Sequence, residues 1–225
     1  TRCNRYPNVQ RWFAGAGRRM ALQYRNMCGD QSFPGIAQFP VKKYVVIYAD
    51  PPWSYGDKGF GKRPNDTTVK GSFAPEAGRY QTMPLAEIET LPVSQIANSD
   101  SVLFLWATSP LLPEALCVIS KWGFKYKTIA FCWSKLTIHG KPVANLGQWT
   151  MGNIELCLLA TKGSPKRLVR NVRQLVIAER TEHSRKPEEA RARIEILFGT
   201  VPRIELFARR ASLGWDTWGN EVFEE

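Results

Sequence analysis

Four near-continuous apolar runs constrain this chain more than any other feature. They are "KYVVIYA" at 43–49, "SVLFLWAT" at 101–108, "KTIAFCWSK" at 127–135 and "IELCLLAT" at 154–161. Each is rich in β-branched or aromatic residues and lacks a polar alternation, so each reads as a strand buried on both faces. "RQLVIAE" at 173–179 and "RIELFAR" at 203–209 add two shorter strands. Helical segments separate them. "PLAEIETLPVSQIA" at 84–97 is a helix broken near Pro92, and "PLLPEALCVISKWG" at 110–123 stops at a glycine. "KPEEARARIEILFG" at 186–199 has Pro187 at its start, acids in its first turn and Gly199 at its end. Strands alternating with helices predict an α/β domain, a mostly parallel sheet with helices on both faces.

Residues 1–40 show no such pattern and are broken by Gly15, Gly17, Gly29 and Gly35, so they are expected to be an extension flanking a domain at 41–225. "AGAG" at 14–17 has a GxG, but the third glycine and the preceding strand are missing, which rejects a dinucleotide fingerprint. Two connections are unusually long, at about 54–79 and 136–152. Long stretches without a period are functional or disordered. The first is expected to act as a mobile gate, with Gly56, Gly59 and Gly61 as hinges. No apolar run reaches the length of a bilayer span, and "TRCNRYPNVQRW" lacks an apolar signal region.

The formal charge of +11 separates two readings. A basic protein can simply be soluble, or its lysines and arginines can displace the counterions of a polyanion. Eight tryptophans supply flat faces for stacking on unpaired bases, which favours the second. The five cysteines, Cys3, Cys28, Cys117, Cys132 and Cys157, show no CxxC spacing and read as reduced thiols in a cytosol-like compartment. The last three lie in apolar stretches and are expected in the core. Only His139 and His183 are present, too far apart to suggest zinc.

The first strand runs directly into Asp50-Pro51-Pro52-Trp53. In open α/β sheets ligands bind outside the carboxyl ends of the strands, which is where this tetrapeptide falls. Asp50 is an acceptor when ionised. The prolines have no N–H, stiffen the backbone and leave their carbonyls as acceptors. Trp53 offers a flat ring. Two acceptors, a stiff frame and a stacking face suit a planar group that carries an NH2, such as a nucleobase with an exocyclic amine. The same residues also read as a turn whose aspartate caps the next segment.

Seven motifs share an order with one family. They are "DPPW" at 50–53, "RYQTM" at 79–83, "LFLWAT" at 103–108, "NIELCLLATKG" at 153–163, "HSRKPEE" at 183–189, "RIELFARR" at 203–210 and "GWDTWGNE" at 214–221. The chain resembles the adenine-N6 methyltransferases with the Asp-Pro-Pro-Trp motif. That family includes the catalytic subunit for eukaryotic messenger-RNA N6-adenosine methylation and bacterial and phage DNA adenine methyltransferases. The compact length is more like the bacterial and phage members.

The resemblance implies a Rossmann-like fold, S-adenosylmethionine as methyl donor and adenine in DNA as acceptor. RNA, or a weakly catalytic partner subunit that presents nucleic acid, stands as the alternative. It places Asp50 and the Pro51 carbonyl on the amine protons, and Trp53 or Tyr80 on the flipped base. It assigns Lys186 to the donor carboxylate, Arg209 to the ribose, Asn220 and Glu221 to the adenosine, and Ser212 to a further ribose contact. Relatives place an Asp upstream of the motif, for which Asp30 is the nearest residue here. Each of these also has a bland reading, as a surface charge or a turn residue. Phosphate contacts are expected from Lys58, Lys62, Arg63 and Lys70 in the first loop, from His139 and Lys141 in the second, and from the basic run Lys166, Arg167, Arg170 and Arg173, all flanking the base pocket. The location that follows is cytoplasmic in a bacterial or phage-infected cell and nuclear in a eukaryote. A homodimer or partner subunit is compatible with the sequence but not readable from it.

Overall fold

The computed structural model describes residues 39–54, 82–145, 149–181 and 185–219. Asp30, Lys58, Lys62, Arg63, Lys70, Tyr80, Asn220 and Glu221, and the proposed hinge glycines, lie outside the described residues. The elements are β1 (Tyr44–Ala49), α1 (Leu85–Thr90), α2 (Val93–Ile96), β2 (Ala97–Ala107), α3 (Leu112–Lys121), β3 (Lys125–Leu136), β4 (Ile154–Lys162), β5 (Leu175–Glu179), α4 (Glu188–Phe198), β6 (Arg203–Leu206) and β7 (Asp216–Trp218).

They build one seven-stranded sheet in the order β5-β3-β4-β2-β1-β6-β7. Every neighbouring pair is parallel except β2–β4 and β3–β4, so β4 alone runs against the rest. The apolar runs are buried as their composition demands. Alternate residues Val46, Tyr48, Phe104, Trp106, Phe131 and Trp133 face α4 and pack on its Ala190, Ile194 and Phe198. The intervening Ile47, Leu103 and Leu105 are buried on the opposite side, where α3 packs against β2 and β3.

Pro187 stands at the start of α4 as expected, as its N-cap. Four features differ from the sequence reading. The strand expected over 203–209 ends at Leu206, because Phe207 adopts φ 61 and turns the chain. Arg209 is therefore carried on the turn that follows β6. β7 was not anticipated; three residues are too few for a periodicity to register. The connection 136–152 is not a plain loop. Thr137 and Lys141 close a turn, with Thr137 N–H donating to the Lys141 carbonyl at 2.8 Å, and Asn145 and Gly152 exchange backbone hydrogen bonds at 3.1 and 2.8 Å. Of the three cysteines expected in the core, Cys157 is buried and Cys117 and Cys132 are partly exposed.

Gly163 marks the end of β4. It sits at φ 62, and a Cβ there would overlap the Ser99 carbonyl oxygen and Asp100 Oδ1 at the start of β2. Both the left-handed backbone and the close approach require glycine. Gly163→Ala is expected to destabilise the domain by about 2 kcal/mol, which corresponds to a Tm lower by about 4–8 °C. Calorimetric melting of the two proteins checks it, and an unchanged Tm contradicts the packing described.

Candidate active site

Parallel strands align their carboxyl ends at one edge of the sheet. Asp50 follows β1 there, beside Trp106 near the end of β2, since Ala49 pairs with Leu105. Lys135 stands near the end of β3. Because β4 is reversed, its second residue, Glu155, also reaches this edge, opposite Trp133. α4 packs across the sheet and holds Lys186, two residues before its first turn, over the same spot.

These four residues form a chain of alternating charge in which Lys135 and Glu155 are buried and Asp50 and Lys186 partly buried. Lys186 Nζ lies 2.7 Å from Asp50 Oδ2 and 3.2 Å from Glu155 Oε2. Lys135 Nζ bonds Glu155 Oε1. Lys186 also sits 5.6 Å above the Trp106 ring, within range of an attractive cation–π contact. Formal charge sums to zero, which is what tolerates four ionisable groups away from water.

The two carboxylates are not equivalent. Burial pushes Asp50 up from the usual carboxylate range, against the pull of Lys186, while Glu155 adds repulsion and Arg209 a weaker attraction. Burial acts on Glu155 in the same sense, but Lys186 and Lys135 together outweigh it and hold it below the usual range. Burial alone would lower Lys186; the two carboxylates hold it well above the ordinary lysine value. Asp50 is therefore the undercompensated acceptor. Its Oδ2 takes the lysine, and no described residue donates a hydrogen bond to its Oδ1.

The tryptophan and the prolines are more constrained than the sequence suggests. Trp53 is only 8 % exposed. Its indole N–H donates to the Trp106 carbonyl at 3.0 Å, and Trp106 in turn donates to the Tyr48 hydroxyl at 2.7 Å. Trp53 is a fixed wall rather than a free stacking plate. The proline carbonyls are not free either: Pro51 accepts from Trp53 N–H and Pro52 from Met83 N–H, both at 2.8 Å. Each carbonyl keeps its second lone pair for another donor.

Among the other expected residues, Arg209 is half-buried and close enough to Asp50 to act on its charge. Ser212 accepts a hydrogen bond from Arg191, which ties it to α4. His139 and Lys141 are exposed on the turn beyond β3, at the same edge as Asp50. Lys166 and Arg167 are not. They follow the carboxyl end of the reversed β4, beside the start of β2, at the opposite edge of the sheet. The expectation that they flank the base pocket is corrected by that reversal.

A family model, MT-A70, matches residues 44–221. The chain belongs to the MT-A70 family. It is 40% identical over 201 residues to the Type II methyltransferase M.MunI of Mycoplasma sp, a match that covers 86% of this chain and 82% of that protein. It is 30% identical over 184 residues to an N(6)-adenosine-methyltransferase MT-A70-like protein of Arabidopsis thaliana, covering 80% of this chain and 24% of that longer protein. It is 27% identical over 186 residues to the N(6)-adenosine-methyltransferase catalytic subunit METTL3 of Homo sapiens, covering 80% and 28% respectively. The sheet is the mostly parallel, Rossmann-like sheet of a methyltransferase, and as an MT-A70 methyltransferase the chain needs a methyl donor.

The MT-A70 sequence held two further site residues that motif reading passed over, Lys135 and Glu155. The signal was present. Glu155 is a charged residue inside an otherwise apolar run and Lys135 closes another, and such residues are buried only when paired. Glu205 on β6 is a third. Its side chain is mostly buried; Arg191 lies 3.4 Å from Oε2, yet that oxygen takes no hydrogen bond among the described residues. Burial, with repulsion from Asp50 and Glu188 working against Arg191, pushes its carboxyl up to about 7. No helix among the described residues is long and apolar enough to cross a membrane.

A raised carboxyl favours the protonated folded form. Wild-type stability should therefore fall as pH rises from the ordinary glutamate value to about 7 and carry the full penalty above it. Glu205→Gln removes that penalty. The Tm of the variant relative to wild type is expected to increase between pH 5 and pH 8; a difference independent of pH contradicts the burial described.

Proposed function

We propose that this MT-A70 protein transfers a methyl group from S-adenosylmethionine to the exocyclic N6 amine of adenine in DNA, with residues 41–225 as the methyltransferase domain and 1–40 as an extension. The observation that carries the reading is the spare acceptor of Asp50, set at the carboxyl edge of β1 against a rigid tryptophan wall. The amine of adenine is a poor nucleophile, because its lone pair is shared with the ring. Asp50 Oδ1 and the second lone pair of the Pro51 carbonyl can each accept one of its protons. Held that way, the nitrogen loses planarity and the charge that develops on it is met by preorganised acceptors. Trp53, fixed by Trp106, limits the tilt of the base.

The residues present fit the donor. Two polar atoms at this edge, Thr108 Oγ1 and Glu205 Oε2, are buried without a hydrogen-bond partner among the described residues, which is what a polar ligand would relieve. S-adenosylmethionine supplies a methyl group on a sulfonium, so no covalent enzyme intermediate is needed. Lys186 would meet its carboxylate, Arg209 the ribose, and Asn220 and Glu221 the adenosine end. Ser212 would contribute only if released from Arg191.

An adenine inside a duplex cannot reach Asp50 without leaving the stack, at a cost of a few kcal/mol that is least for unpaired bases. The lean toward DNA rests on the similarity to M.MunI over most of both chains; the N6-adenosine relatives named above make RNA the alternative. The intact Asp-Pro-Pro-Trp motif argues against a silent partner subunit.

Asp50→Asn keeps the side-chain shape but removes the charge. It is expected to lower methyl transfer by about 100-fold or more at saturating donor, while S-adenosylhomocysteine binding by calorimetry changes less than tenfold. Near-normal turnover would reject the mechanism. Transfer to DNA and RNA oligonucleotides of one sequence should favour DNA, with methyl on adenine N6. RNA turnover tenfold above DNA would reverse the choice of substrate, and methyl on cytosine would reject the adenine reading.

A further inference from the structure

The sheet edge opposite Asp50 has a charge distribution unlike the rest of the molecule. Residues 120–128, from the end of α3 into β3, hold three lysines and no acid; residues 163–173, between β4 and β5, hold four Lys or Arg and no acid. The two stretches meet. Lys125 pairs with Thr161 just before the second stretch begins. Where it ends, the Gln174 side chain donates to the Ile129 carbonyl and the Gln174 carbonyl accepts from Cys132 N–H at 3.0 Å. The connection thus leaves the sheet at the edge opposite Asp50, beside the start of β3, and rejoins it level with the middle of β3, where Leu175 pairs with Cys132.

Lys125, Lys127, Lys166, Arg167, Arg170 and Arg173 are all exposed. None of them has an ion-pair partner among the described residues. By contrast, Arg185, Arg191, Arg193 and Arg203, on or beside α4, are all paired with glutamates. Nor are these cations carried on a loose tail. Leu168 N–H donates to the Leu197 carbonyl at 2.7 Å, and Arg193 donates to the Arg173 and Leu175 carbonyls at 2.6 and 2.8 Å. Val172 packs against the core. A backbone tied in place thus carries exposed cations along one strip without an ion pair among the described residues, and their mutual repulsion is a cost that a polyanion would relieve.

We propose that this edge is a second, sequence-independent binding surface for the phosphate backbone of long duplex DNA, contacting a segment other than the one whose base is methylated. The proposal rests on the nucleic-acid reading of the active site. The two edges are separated by the length of β4, about 23 Å from Glu155 to Lys162 at 3.3 Å per residue. A 12-base-pair duplex centred on its target is too stiff to fold over to the far edge, because bending is resisted over about 150 base pairs. A long molecule can supply a second segment or wrap. The surface would then raise the residence time of the enzyme on DNA without touching the chemistry.

The test compares wild type with the fourfold variant Lys125→Gln, Lys127→Gln, Lys166→Gln, Arg167→Gln. None of these side chains holds the fold, and an unchanged Tm verifies that. Binding to a kilobase duplex is expected to weaken about tenfold or more at low salt. The slope of log affinity against log salt should become shallower by about 3 to 4, at about 0.9 for each phosphate that the variant leaves unneutralised. Methyl transfer to a 12-base-pair target should be unchanged. Unaltered affinity and slope on long DNA would overturn the proposal. Equal losses on both lengths would overturn it too, by placing the charges with the base pocket. Anionic vesicles bound by wild type in preference to DNA would point to a membrane instead, and a loss confined to long RNA would reassign the polyanion. Wild type that binds long DNA through these residues yet methylates no nucleic acid would leave this surface standing and reject the proposed function alone.

Discussion

The largely enclosed alternation of Asp50, Lys186, Glu155 and Lys135 is the constraint around which the site edge is organised. Removing two carboxylates and two ammoniums from water is costly, and breaking one member of such a set leaves an uncompensated charge. Every element that reaches the edge therefore has to arrive in register. β1 brings Asp50, β3 brings Lys135, β4 brings Glu155, and α4 brings Lys186 by burying Ala190, Ile194 and Phe198 on the sheet. The imbalance within the set has chemical value. Glu155 has two lysines and is satisfied; Asp50 shares one and keeps spare acceptor capacity.

The reversal of β4 makes this set. Had β4 run with its neighbours, Glu155 would stand at the far edge and Lys162 near Asp50. The chain achieves the reversal by joining β3 to β4 through a folded-back connection, with no crossover helix, and by leaving a vacant place between β2 and β3. The same reversal starts the 163–173 connection at the other edge, so one topological choice puts a neutral ionic chain on one side and the first cations of an exposed basic strip on the other.

Aromatic packing gives the site its rigidity. Trp53 is tied to Trp106, Trp106 to Tyr48, and the Trp106 ring lies under Lys186. The ring that sequence reasoning assigns to the base is part of this wall. A tryptophan with its N–H satisfied and its ring enclosed positions a ligand by shape and loses little freedom when the ligand binds.

The sequence by itself determined six of the seven strands and the helices, because four apolar runs longer than a half-buried strand needs can be satisfied only by a sheet covered on both faces. It also determined that Asp50 ends the first strand, and the order of its motifs identified the family. It could not say that Lys135 and Glu155 join Asp50 and Lys186, because those four are 20 to 136 residues apart and meet only through strand order and direction. Nor could it say that Phe207 ends β6 early, which a left-handed backbone decides, or that 136–152 folds back on itself through backbone hydrogen bonds rather than a side-chain pattern. Lys166 and Arg167 show the limit most plainly. Charge along the chain is legible, but the side of the molecule that receives it is set by the direction of the preceding strand, and strand direction is a property of the pairing partners, not of the residues in the strand.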